Sequence, residues 1–168
     1  MKIKLDPELS YIIGFWRKRK TKEGIGIYGE DNDIEIFSKE ILNKKIVTPE
    51  KLLTEDNKIY FYHTAYRKFF KDIEFEQCER FKYLNDYAAS YLAGMFDSVG
   101  AFDSKTGIIY FEKAGKNDDL LLLGLGFGGK WRDKKLVIGR PLMFLRFIKN
   151  YVKKYKDHEI FSYAEKKK

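Results

Sequence analysis

Residues 91–102 read YLAGMFDSVGAF, and the fold turns on them. The stretch opens as an apolar run, carries one acid, Asp97, and closes on Gly100. Just upstream, Asn85 or Asp86 is placed to cap a helix entering the run, since a short side-chain oxygen there accepts from an N–H of the first turn. A second stretch, DPELSYIIGFWRKRK, has the same plan. Asp6 is its N-cap, and Pro7 takes the first helical position, where a missing N–H is harmless. Tyr11-Ile12-Ile13-Gly14 matches Tyr91-Leu92-Ala93-Gly94, and the two glycines lie 80 positions apart in a chain of 168 residues.

The segments after the two helices repeat as well. GIGIYG and GIIYFEKA read as short strands of β-forming residues. NDIEIFSKEILNKK has helical spacing through Ile34, Phe37, Ile41 and Leu42. Its counterpart, NDDLLLLGLGF, fits either a buried strand or a helix weakened by Gly124 and Gly126. NKIYFYH pairs with KKLVIGR as strands, and TAYRKFFKDIEFEQCERF pairs with RPLMFLRFIKNYVKKY as amphipathic helices. Each half therefore reads α-β-(β)-α-β-β-α. No linker or low-complexity tract separates the halves, and the terminal AEKKK reads as a frayed end.

The formal charge is +8 and the isoelectric point is about 9.3. That balance favours a polyanionic partner, nucleic acid first. The single cysteine, Cys78, excludes an internal disulfide and suits a reducing compartment. The longest apolar run, Leu120 to Gly129, is too short to span a bilayer, and MKIKLDPELS lacks the apolar region of a signal peptide. The expectation is a cytoplasmic protein without a membrane partner.

With the two stretches aligned, the chain resembles the LAGLIDADG homing endonucleases and the related intein endonucleases and RNA maturases. Leu92 to Gly100 lie over the nine motif letters, and Ile12 to Lys20 lie over the same letters in degraded form. The resemblance implies an α+β, pseudo-twofold fold of two α-β-β-α-β-β-α halves, residues 1–84 and 85–168, in one compact unit. Each half would carry a four-stranded, saddle-shaped antiparallel sheet. The motif helices would meet at the pseudo-twofold axis, with Gly14 and Gly94 allowing close backbone approach. It further implies a monomer bound to duplex DNA, although some relatives act on RNA and some degraded ones regulate transcription.

The sequence departs from that family where its chemistry is done. Active members hold divalent metal with a carboxylate at the eighth motif letter of each helix. Here those letters are Arg19 and Val99. Valine has no lone pair, and arginine stays cationic. Asp97 keeps the family's sixth letter, and its expected role is a hydrogen-bonded helix-end residue; Arg17 stands at the corresponding letter of the first motif. The expectation is a binder that has lost cleavage, with no catalytic residue, no metal ligand and no cofactor. Two alternatives stand. One is an active Mg²⁺-dependent endonuclease using substitute carboxylates such as Glu23 and Asp103. The other is a partner-binding scaffold without nucleic-acid affinity.

Arg17, Lys18, Arg19, Lys20 and Lys22 crowd the end of the first motif helix and are candidate phosphate contacts. In KIYFYH, putting Ile59 and Phe61 on the core sends Lys58, Tyr60 and Tyr62 to the other face. Lys130 and Arg132 share a face, Lys134 and Lys135 sit near a turn, and Tyr28 and Lys113 complete the candidate set. Duplex DNA is favoured because the major groove of B-form DNA admits such a surface, whereas that of A-form RNA is narrow.

Three other features resolve into structure. GLGFGGKW nearly matches a phosphate-binding glycine loop, but Trp131 replaces the needed Ser or Thr, and the next element is a strand rather than a helix. It reads as a glycine turn into a strand. His63, His158 and Cys78 show no metal-ligand spacing. His63 falls at a strand-to-helix junction, and Cys78 reads as a small core or boundary residue.

Overall fold

The computed structural model describes residues 2–166. Helix α1 (Pro7–Trp16) starts at Asp6, whose Oδ1 accepts from the Leu9 N–H at 2.8 Å. Helix α5 (Asp86–Val99) starts at Asn85, which accepts from the Ala88 N–H at 3.1 Å. Both caps satisfy a first-turn donor that has no partner within the helix. Between them lie β1 (Ile25–Tyr28), α2 (Asp31–Asn43), a short 3₁₀ turn at Pro49–Lys51, β2 (Leu53–Glu55), β3 (Lys58–Phe61), α3 (Thr64–Phe75) and α4 (Gln77–Arg80). After α5 come β4 (Gly100–Phe102), β5 (Ile109–Phe111), α6 (Lys116–Leu125), β6 (Lys130–Arg132), β7 (Lys135–Val137), α7 (Pro141–Ile148) and α8 (Glu159–Lys166).

Nearly every residue of α1 and α5 is buried, which explains why both are apolar on all sides rather than on one stripe. They pack against each other through their glycines. A Cβ on Gly14 would lie 2.1 Å from the Tyr91 carbonyl oxygen, and one on Gly94 would lie 2.1 Å from that of Tyr11. The same atoms of the same residues, 80 positions apart, thus exchange places. Met95 and Phe15 repeat the relation, their backbone nitrogens facing Gly14 and Gly94. Reciprocal contacts of this kind are what a twofold relation between the halves requires.

The sheets flank this seam. The first is antiparallel with order β1-β3-β2, and the second has order β4-β5-β7-β6. The expectation of four strands in each is met only in the second. In the first, Lys20 forms a single bridge to Ile27, with the Tyr28 N–H on the Arg19 carbonyl and the Thr21 N–H on that of Gly26. The chain then turns at Thr21–Gly24 before a ladder can grow, so the fourth strand is reduced to one pair.

NDDLLLLGLGF settles as helix α6, ending at Gly126 with φ of 93°. Four leucines at successive positions cannot all face one core: Leu121 and Leu122 are buried, while Leu120 and Leu123 are exposed. The amphipathic run after Pro141 stops at Ile148, shorter than its spacing suggests, and α8 adds a helix that no sequence signal marks. Part of the terminal AEKKK belongs to α8; its last two lysines lie outside the described residues. No helix among the described residues is long and apolar enough to cross a membrane.

The two glycine positions make opposite predictions. Gly94→Ala drives a methyl into the Tyr11 backbone and destabilises the fold by about 3 kcal/mol. Gly124→Ala, in a helix with nothing within 4 Å of the new methyl, is neutral or stabilising by up to about 1 kcal/mol. Urea denaturation monitored by circular dichroism reads both.

Candidate nucleic-acid interface

The paired C-terminal ends of α1 and α5 hold the eighth motif letters. Val99 is buried. Arg19 turns back into the protein: its Nε donates to the Ser98 carbonyl at 2.8 Å, and its Nη1 lies 3.4 Å from the Tyr28 carbonyl and 3.8 Å from Asp33. A guanidinium therefore meets the carbonyl-rich end of α5, where helix polarity favours a cation.

The nearby acids are all engaged. Asp97 is fully buried and accepts from the Tyr11 hydroxyl at 2.6 Å, the Lys153 N–H at 2.7 Å and the Tyr155 N–H at 3.3 Å. That is the helix-end role its position suggests, with donors drawn from the first motif helix and from the segment after α7. Asp33 completes the capping box of α2 and pairs with Lys154 at 2.9 Å. Glu23 is held by Lys58 at 3.0 Å, and Asp103 folds over its own turn onto the Lys105 N–H at 2.9 Å. Among the described residues, no three His, Cys, Asp or Glu side chains gather into a group suited to a metal ion. A cation such as Mg²⁺ needs several free oxygen donors, so this set does not fit one.

The cations at the end of α1 are bound internally as well. Arg17, almost wholly buried, pairs with Asp118, and its Nε faces Glu74 at 3.5 Å. Lys18 reaches Asp118 at 2.7 Å. Lys20 reaches Glu74 at 2.6 Å and lies 5.0 Å above the Trp16 ring. Of the five, only Lys22 stands without such a partner among the described residues. Sequence spacing could not show this, because Asp118 and Glu74 come from distant helices. Gln77 and Tyr91 complete the buried cluster, the Tyr91 hydroxyl donating to Gln77 at 2.6 Å.

On the first sheet, cross-strand register places Tyr28 and Glu55 beside Lys58, and Gly26 and Leu53 beside Tyr60, all on the face away from the core. The expected alternation holds, since Ile59 and Phe61 are buried. Tyr60, however, is only 7% exposed, covered by its neighbours on that face. Lys58 is paired with Glu23 and Glu55, which hold its ammonium above its ordinary pKa. On the second sheet, Arg132 opposes Lys135, and Lys130 and Tyr110 both oppose Val137. These side chains share the outer face, with the Lys135 ammonium 5.0 Å from the Tyr110 ring. Lys134 sits in the turn between them beside Asp133, whose φ is 57°. Lys113 is exposed just beyond β5 and lines a cleft of about 510 Å³ with Lys18, Trp131 and Lys134.

The remaining singled-out residues are structural. His63 caps α3 through Nδ1, which accepts from the Tyr66 N–H at 3.3 Å. Cys78 is exposed on α4 rather than a core or boundary residue, its thiol directed to the Asn117 carbonyl at 3.4 Å. GLGFGGKW leads from the end of α6 into strand β6, the glycine turn into a strand that the sequence suggests.

No protein-family model and no curated protein matches the chain. Among solved structures, it is similar to a chain described under "Structures and dynamics of mesophilic variants from the homing endonuclease I-DmoI". The TM-score is 0.56 and the identity 11%, over 87% of this chain and 96% of that one. The likeness shows a LAGLIDADG-like α+β fold.

Two buried acids give this region opposite pH behaviour. Burial pushes the Asp97 carboxyl above its ordinary pKa, against the pull of Tyr11 and the backbone donors. The folded chain then binds that proton more tightly than the unfolded one, so Asp97 favours folding less as pH rises through its raised value. For Asp118, burial also pushes upward, but Arg17, Lys18 and the Gly115 N–H outweigh it and hold the carboxyl low. Its contribution is present above the ordinary carboxylate range and is lost as pH falls through its lowered value. Tyr11→Phe is expected to cost about 2 kcal/mol at neutral pH and less once Asp97 is protonated. Asp118→Asn leaves Arg17 short of its partner and is expected to cost about 3 kcal/mol at neutral pH, with a shallower loss in acid. Denaturation curves across the acid range read both.

Proposed function

We propose that the chain binds duplex DNA as a monomer through the outer face of its second sheet, and that it does not cleave it. The observation that carries the reading is the end of the motif seam. Two carboxylates are needed there to hold metal against a scissile phosphate. Arg19 and Val99 stand in their place, and Arg19 is bonded to the Ser98 carbonyl. The fold likeness to a homing endonuclease supports the class of partner, and the charge of +8 supports a polyanion.

Within this reading the second sheet makes the main phosphate contacts. Lys130, Arg132, Lys134 and Lys135 are exposed and form no ion pair among the described residues. Arginine grips phosphate or a guanine edge through two N–H groups, and lysine acts as a point charge. Lys113, which shares a cleft with Lys134 and Trp131, adds to that surface, and Lys22 lies apart from it in the turn before β1. Arg17, Lys18, Arg19 and Lys20 serve the fold, because releasing them would strand Asp118, Glu74 and Asp33. Lys58 is likewise neutralised by its two carboxylates.

Fluorescence anisotropy with a labelled duplex tests the reading. The wild-type chain is expected to bind with an affinity that falls steeply with salt. The triple variant Lys130→Ala/Arg132→Ala/Lys135→Ala is expected to bind more weakly, with a log–log salt slope shallower by about 3. Mg²⁺ or Mn²⁺ is expected to leave the duplex intact. Metal-dependent cutting by pure protein would return the endonuclease alternative, and a lack of any salt-dependent affinity would favour the scaffold.

A further inference from the structure

The outer faces of the two sheets differ in chemistry. On the second, Lys130, Arg132 and Lys135 stand around Tyr110 without carboxylate partners among the described residues. On the first, the only strand cation, Lys58, sits between the Tyr28 ring at 5.7 Å and the Tyr60 ring at 5.4 Å. Glu23 and Glu55 both bind its ammonium, and Glu55 also accepts from the Tyr60 hydroxyl at 2.8 Å. This face carries two carboxylates for one ammonium, so it offers no cation to a duplex backbone. What it exposes instead is flat and apolar: Tyr28 at 40%, Leu53 at 41% and Tyr62 at 63%.

Those rings are held in place. Tyr62 meets Tyr60 edge to face at 5.9 Å. It also lies over Gly24, where a Cβ would be 3.1 Å from the Tyr62 ring and φ is +47°, so glycine both makes the turn and makes room. Tyr28 is fixed by β1 pairing and by Lys58. Rigid exposed aromatics beside a cation that has already been neutralised offer stacking without phosphate attraction. Bases in a duplex are stacked on each other and present no face, whereas unpaired bases do.

We propose that the first sheet is a stacking platform for unpaired bases, so the preferred ligand is a DNA duplex with a single-stranded tail. This rests on the reading that the second sheet holds the duplex. The cationic face of the second sheet supplies the attraction for the polyanion, and the aromatic face takes the bases that leave the helix.

The test compares a blunt DNA duplex with the same duplex carrying a tail of about six nucleotides. The tail is expected to tighten binding about tenfold or more. Tyr28→Ala/Tyr62→Ala, both at exposed positions, is expected to abolish that gain and leave blunt-duplex affinity unchanged. Glu23→Gln/Glu55→Gln is expected to tighten blunt-duplex binding and steepen its salt slope. Equal affinity for both probes, or a gain that survives loss of the tyrosines, overturns the platform while leaving duplex binding intact. Tyrosine-dependent binding of the free tail strand without duplex binding supports the platform and removes the duplex reading. Binding of neither probe removes both.

Discussion

Two carbonyl oxygens seated on two glycines organise this molecule. With Tyr91 O against Gly14 and Tyr11 O against Gly94, α1 and α5 pack at a separation no other residue permits. Their C-terminal ends consequently converge, and each end carries unpaired carbonyls and partial negative charge. A paired site of that kind needs a cation. Here the Arg19 guanidinium meets it, on the Ser98 carbonyl. The ends of the two glycine-bearing helices are thus closed into a structural joint by Arg19.

The joint is buttressed on both sides by buried acids from opposite halves of the chain. Asp97 of α5 takes the Tyr11 hydroxyl of α1, and Asp118 of α6 takes Arg17 and Lys18 from the end of α1. Asp33 of α2 takes Lys154 from beyond α7. Each hub ties early residues to late ones, so charge and packing together fix how the halves meet. Removing one partner from such a pair is far more damaging than removing both, because a lone buried charge remains. On the second sheet, Lys130, Arg132, Lys134 and Lys135 stay outside these hubs.

Much of this is legible in the residues alone. The caps at Asp6 and Asn85 and the burial of Ile59 and Phe61 come from local pattern, because each depends on spacing within one element, whereas the glycine seam is what the family resemblance of the two motifs implies. The first sheet's missing strand does not, since its loss is decided by where the chain turns after Lys20. The leucine run of α6 is ambiguous because four consecutive apolar residues fit both periods. Least legible is the fate of Arg17 to Lys20. RKRKTK looks like a solvated basic helix end, and only the packing of α3 and α6 against it brings Glu74 and Asp118 into reach. Cys78 misleads for the converse reason, as its position in an amphipathic helix says little about which edge of the apolar stripe faces water.

The most direct measurement is a Mn²⁺ titration monitored by amide NMR of the free protein. With Arg19 filling the joint, paramagnetic broadening at Ser98, Val99, Arg19 and Lys20 should be no greater than at exposed acids elsewhere. Selective, saturable broadening centred on those four amides would mean that divalent metal enters between α1 and α5, which contradicts the account.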